Sequence, residues 1–114
     1  MENPCLGTFE EIVLLAVCVL GEDAYGVTVT DEITGQAGRP VHLSAVHTAL
    51  YRLEEKGLLR SGLGGATPAR GGRRKRLYGV TSAGRHALRE ARTLRESFWR
   101  RIPAAGWEWE GGAA

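Results

Sequence analysis

Residues 43–80 read LSAVHTALYRLEEKGLLRSGLGGATPARGGRRKRLYGV, and their reading decides the fold. Val46, Leu50 and Leu53 recur at i, i+4 and i+7, with Ala49 beside them, so 44–57 is predicted to be an amphipathic helix after a short extended link over 41–43. The same periodicity turns Ala45, His47, Thr48, Tyr51, Arg52 and Glu55 outward. Ser44 is the expected N-cap and Gly57 the expected C-terminal stop. LLRSGL (58–63) then reads as a strand and LYGV (77–80) as its return. Between them GGATPARGGRRKR (64–76) is a glycine-rich loop whose last seven residues include five cations. A helix followed by a basic hairpin is the plan of a winged helix-turn-helix.

The chain upstream fits that plan. Thr8 and Glu11 have capping-box spacing and are expected to start a helix through IVLLAVCVL that stops at Gly21. Its apolar residues lie on nearly every side, which predicts burial on more than one side and a second subunit covering part of it. YGVTVTDEITGQAG (25–38) has strand-like Val and Thr residues. Val29 and Ile33 are nevertheless spaced i, i+4, and a helix is the expected outcome, ended by Arg39-Pro40. Downstream, Thr81 opens a last helix. Ala87, Leu88, Ala91, Leu94, Phe98 and Ile102 form its apolar stripe, and Arg85, Arg89, Arg92, Arg95 and Arg100 its other face. One apolar stripe on a terminal helix, beyond a domain already formed, predicts a dimer seam. Pro103 ends it.

The fold class expected is therefore α+β, mostly α: a winged helix-turn-helix of three helices and a two-stranded hairpin over 1–81. A dimerisation helix follows over 82–103 and a tail over 104–114. A chain of 114 residues makes one domain of this size.

Charge points to the partner. Residues 1–38 hold seven acids and no Lys or Arg, while residues 39–101 hold all fifteen basic residues and four acids. A cationic section of this strength, behind a formal net charge of only +2, suits a polyanion. Double-stranded DNA is the expected partner. In a helix-turn-helix the second helix offers side chains to base edges, here Ser44, His47, Thr48, Tyr51 and Arg52. In the wing, Gly71 and Gly72 permit close backbone approach, and Arg70, Arg73, Arg74, Lys75 and Arg76 can reach phosphates or a narrow minor groove. The dimer interface is expected from Phe9, Val13, Leu88, Ala91, Leu94, Phe98 and Ile102.

Other chemistry has weaker footing. The longest apolar run, Ile12 to Leu20, is nine residues, far short of the roughly 20 that span a bilayer. The acidic N-terminus lacks the basic n-region of a signal peptide, so a cytoplasmic location is expected. Cys5 and Cys18 suit a reducing compartment, and Cys18, inside the apolar helical run, is expected to be a small core residue, with a disulfide or thiol switch as the alternative. His42, His47 and His86 show no metal-ligand spacing; His47 reads as a DNA or solvent contact, with a pH switch as the alternative. No catalytic arrangement or phosphate loop suggests an enzyme, and no cofactor or metal is expected. Trp99 either packs in the interface or stacks on a flat small-molecule effector. Two further readings remain open: a protein-interaction module whose wing meets an acidic partner, and a multidrug-type sensor with a ligand pocket at the dimer interface.

LGTFEEIVLLAV (6–17), AYGV (24–27), AVHTALYRLEEKGLL (45–59), TPARGGRRKRLYGVT (67–81) and SAGRHAL (82–88) together resemble the PadR family of bacterial winged-helix regulators, in its short branch with a single C-terminal helix. The resemblance implies a homodimer whose C-terminal helix packs on the partner's first and last helices. It also implies repression from a palindromic operator, relieved by a small molecule in some members. His47, Tyr51 and Leu77 depart from the residues common at those positions, which implies an operator of its own.

Overall fold

The computed structural model describes residues 6–64 and 75–107. Four helices and one hairpin follow in the order α1 (Thr8–Leu20), α2 (Gly26–Ala37), α3 (Leu43–Glu55), β1 (Leu59–Leu63), β2 (Arg76–Val80) and α4 (Ser82–Arg101). Short 3-10 turns occupy Gly21–Asp23 and Ala104–Trp107. This is the mostly helical winged helix-turn-helix expected from the sequence, and residues 25–38 are helical rather than extended. No helix among the described residues is long and apolar enough to cross a membrane.

Helices α1, α2 and α3 enclose the core. Val13, Leu14 and Val17 of α1 meet Val29 and Ile33 of α2, and Val46, Ala49, Leu50 and Leu53 of α3. Leu58 and Leu59 close it from the hairpin side. Fully burying a leucine such as Leu50 contributes about 2 kcal/mol. The turn out of α3 runs through Gly57 at φ +79°, a left-handed conformation that costs glycine little. The chain then enters β1, which pairs antiparallel with β2 from Leu59 opposite Val80 to Leu63 opposite Arg76. The backbone N–H of Tyr78 donates to the Ala24 carbonyl at 2.9 Å, tying β2 to the segment between α1 and α2.

Thr81 joins hairpin to α4. Its hydroxyl donates to the Gly57 carbonyl at 2.7 Å and accepts from the Gly84 N–H at 3.0 Å, which makes it the N-cap of the helix it is expected to open.

Four expectations are corrected. The first concerns the start of α1. Gly7, not Thr8, is the N-cap, and its N–H donates to Glu10 at 3.3 Å. Glu11 turns inward instead, to an arginine far along the chain. Second, α3 begins at Leu43 with His42 as N-cap, so Ser44 lies inside the first turn. No side chain caps that end, and an earlier start brings Leu43 into the helix. Third, Val13 is fully buried in the chain's own core and cannot face a second subunit. The large apolar residues of α1 that do reach the surface are Ile12, Leu15 and Val19. Fourth, Cys18, expected as a small core residue, is exposed with them.

Candidate nucleic-acid interface

The core-facing stripe of α3 fixes what the opposite face presents. With Val46, Leu50 and Leu53 buried, Ser44, His47, Thr48, Tyr51 and Arg52 are all exposed, as expected. They are not equivalent. The Thr48 hydroxyl donates to the Ser44 carbonyl at 3.0 Å, which leaves its methyl and one acceptor site to a partner. Tyr51 is 63 % exposed. Arg52 stands on the α1 side, where its charge, with that of Lys56, helps to hold the Glu10 carboxyl below its usual range against the opposing effect of burial.

His47 leans the other way. Its ring lies against Gly26 at the start of α2, so close that a Cβ on Gly26 would fall 2.7 Å from His47 Cε1. Any side chain at position 26 would have to push the imidazole aside, so the close contact depends on the glycine there. The imidazole is therefore braced by α2 while still open to solvent.

Beside it opens a cleft of about 620 Å³, lined by Tyr25, Gly26, Val27, His47, Tyr51, Glu54, Lys75, Arg76 and Tyr78. It joins the start of α2, the outward face of α3 and the root of the wing. The Lys75 ammonium sits 4.4 Å from the Tyr25 ring centroid, a cation–π contact. Arg76 donates to the Ser61 hydroxyl at 2.9 Å, and Ser61 donates to Glu54 at 2.7 Å. This chain runs from β2 through β1 to α3 and ties the wing root to that helix. Burial, with Glu54 nearby, raises the Tyr78 hydroxyl above its ordinary pKa, so it stays neutral. Two wing cations, three tyrosines and a histidine thus line one cleft.

Arg70, Gly71, Gly72, Arg73 and Arg74 lie outside the described residues. Tyr25, Gly26, Glu54 and Ser61 belong to the site, but sequence reasoning did not select them. Tyr25 carried a readable signal, an aromatic immediately before α2. Ser61 and Glu54 carried none, because their pairing depends on strand register.

Away from this face, the apolar stripe of α4 divides. Leu88 and Ala91, like Phe9 of α1, are half-buried, whereas Leu94 and Phe98 are each 60 % exposed and Ile102 is 36 % exposed. Trp99 is 61 % exposed on the same end of the helix.

The sequence profile of the family described as "Transcriptional regulator PadR-like family" matches residues 14–90. Among solved structures, a PadR-like transcription factor from Bacteroides fragilis is similar with a TM-score of 0.69 at 21 % identity, over 84 % of this chain and 87 % of that one. A PadR family transcriptional regulator from Eggerthella lenta DSM 2243 gives a TM-score of 0.63 at 25 % identity, over 78 % and 75 %. Bacillus subtilis PadR in complex with operator DNA gives 0.58 at 19 % identity, over 74 % of this chain and 46 % of that one. Among curated proteins, none matches the chain.

Proposed function

The chain belongs to the PadR-like family of transcriptional regulators, and from that premise we propose that it is a homodimeric repressor that binds a palindromic operator in duplex DNA. The observation that carries this reading is the cleft shared by α3 and the wing root, where His47 and Tyr51 stand beside Lys75 and Arg76. Helix α3 enters the major groove with His47, Thr48 and Tyr51 toward base edges, and Ser44 and Arg52 toward the flanking backbone. The wing, from Arg70 through Gly71, Gly72, Arg73, Arg74 and Lys75 to Arg76, holds phosphates. Residues 1–81 act as the DNA-binding unit, and 82–103 join two copies. Leu94, Phe98 and Ile102 supply the seam, with Leu88, Ala91 and Phe9 at its edge. Ile12, Leu15 and Val19 take the place that Val13 cannot fill.

The test is binding, by fluorescence anisotropy across a salt series, to duplex from the chain's own promoter region against random duplex. Specific regulation requires a preference of about a thousandfold or more. Equal binding to both, or none, favours a protein-interaction module instead. Arg73→Ala and Arg74→Ala should each lower the salt slope by about one, the mark of one lost phosphate contact.

A second reading, regulation by a planar small molecule, rests on the exposed Trp99 beside the seam. Quenching of fluorescence by planar aromatic compounds in the wild type but not in Trp99→Phe supports it.

A further inference from the structure

Helix α4 packs Ala87 and Leu88 on the core but leaves much of its surface uncovered, so two specific contacts at either end of this stretch weigh heavily on its direction. The first is at Gly84. A Cβ there would lie 2.2 Å from the Leu58 carbonyl oxygen and 2.8 Å from Val80 Cγ1, so the helix backbone rests directly on the root of the hairpin. The second is at Arg95, about 16 Å further along the axis. Its guanidinium meets both carboxylate oxygens of Glu11: Nη1 donates to Oε1 at 2.6 Å, and Nη2 donates to Oε2. Glu11 is only 8 % exposed. A carboxylate so enclosed needs a charged, hydrogen-bonded partner, and the two-pronged contact fixes the plane of the guanidinium as well as its distance.

One pivot would let the helix swing. A pivot and a planar latch three turns apart do not. Beyond the latch α4 carries Phe98 and Ile102, the apolar residues proposed for the dimer seam.

We infer that the Glu11–Arg95 pair is the positioning element that fixes the angle of α4 against the DNA-binding unit. Through that angle it selects the spacer length of the operator without touching DNA. The inference rests on the homodimeric reading above. In such a dimer two rigid units are joined through α4, so the angle of α4 sets the separation and relative rotation of the two copies of α3. Half-sites one helical turn apart are about 34–36 Å from centre to centre, and each base pair of spacer shifts that distance by about 3.4 Å and turns the second site by about 35°. A small swing of α4 is therefore read as a change of spacer.

The experiment begins by selecting the wild type's half-site from a random duplex pool. Duplexes carrying that half-site twice, with spacers from two base pairs shorter to two longer than the selected one, are then bound by wild type, Arg95→Gln, Arg95→Lys, Glu11→Gln and Arg92→Gln. Light scattering and thermal melting accompany each protein. Arg95→Gln is the principal variant because Arg95 is the more exposed partner. It should remain folded and dimeric and keep its affinity for a single half-site. Its preference for the wild-type spacer should fall from about tenfold or more to about threefold or less. Glu11→Gln should do the same, Arg95→Lys should recover part of the preference, and Arg92→Gln, whose partner is Glu96 on the same helix, should leave it intact. A loss of stability alone would not move a ratio between spacers. An unchanged spacer preference in folded, dimeric Arg95→Gln overturns the inference. A wild type that is monomeric, or selects no paired half-sites, overturns the homodimeric reading and this inference with it.

Discussion

Helices α3 and α4 are built alike and end differently. Both are amphipathic, both carry positive charge on the outward face, and each is tied to α1 by one of two adjacent glutamates. Glu10 accepts from Lys56 at the end of α3 at 2.6 Å, and Glu11 holds Arg95 of α4. The difference lies in the apolar stripe. Val46, Leu50 and Leu53 of α3 are completely buried within one chain, while Gly84 is the one buried residue of α4 and Leu94 and Phe98 stay open. A stripe covered from within its own chain gives a unit whose stability is independent of concentration. A stripe left open transfers part of its stabilisation to whatever covers it, and makes that part depend on concentration.

The comparison breaks first at Leu50. Leu50→Ala leaves a cavity among α1, α2 and α3, and should destabilise the fold by about 3 kcal/mol. The urea midpoint should fall by the same amount at low and high protein concentration. Leu94→Glu combined with Phe98→Glu should act oppositely. Neither residue belongs to the core, so a dilute monomer should unfold at nearly its original midpoint. The dimer dissociation constant should rise by about a hundredfold or more, equivalent to about 2.7 kcal/mol. A mass by light scattering that stays at two chains removes the seam from α4.

Next in size is Gly84→Ala. The added methyl meets a backbone oxygen that no side-chain rotation can move, so α4 must shift, at a cost of about 1–3 kcal/mol. Thermal melting measures that cost. A variant as stable as wild type would mean that α4 can lift from the hairpin root without loss.

The same contrast explains what could be read in the sequence. The stripe of α3, the stop at Gly57 and the cap at Thr81 all depend on neighbours within one or two turns, and each is where periodicity puts it. Helix α1 was legible in extent but not in orientation. With apolar residues on every side, nothing local distinguishes Val13, buried in the core, from Ile12, which reaches the surface. The cap of α1 was misplaced for a related reason. Thr8 with Glu11 and Gly7 with Glu10 both have capping-box spacing, but Glu11 is taken up by Arg95, 84 residues away, while Glu10 bonds the Gly7 N–H. At the interface, His47, Thr48 and Tyr51 followed from helical phase alone. The hydrogen-bonded chain Arg76–Ser61–Glu54 required the register of two strands, and the contact of His47 with Gly26 required the crossing of two helices.

The smallest effect separates the two glutamates. Burial opposes the charge of Glu10, but the hydrogen bonds from Lys56 and the Gly7 N–H, with the fields of Lys56 and Arg52, outweigh it and place its pKa below the usual 4.5. A carboxylate whose folded pKa is depressed contributes stability above its unfolded pKa and loses it as the pH falls through the folded one. The contribution of Glu10 should therefore be complete at neutral pH and fade below about pH 4.5. Because the pair is near the surface, the effect should be a fraction of a typical mutational change. Glu10→Gln should lower the urea midpoint slightly at pH 7, and the gap from wild type should close as the pH falls below about 4.5. The spacer preference of the operator should be unchanged, because Glu10 braces α3 and not α4. If Glu10→Gln altered spacer preference as strongly as Glu11→Gln, the division of labour between the two adjacent carboxylates would be lost, and α1 would have to be treated as a single support for both helices.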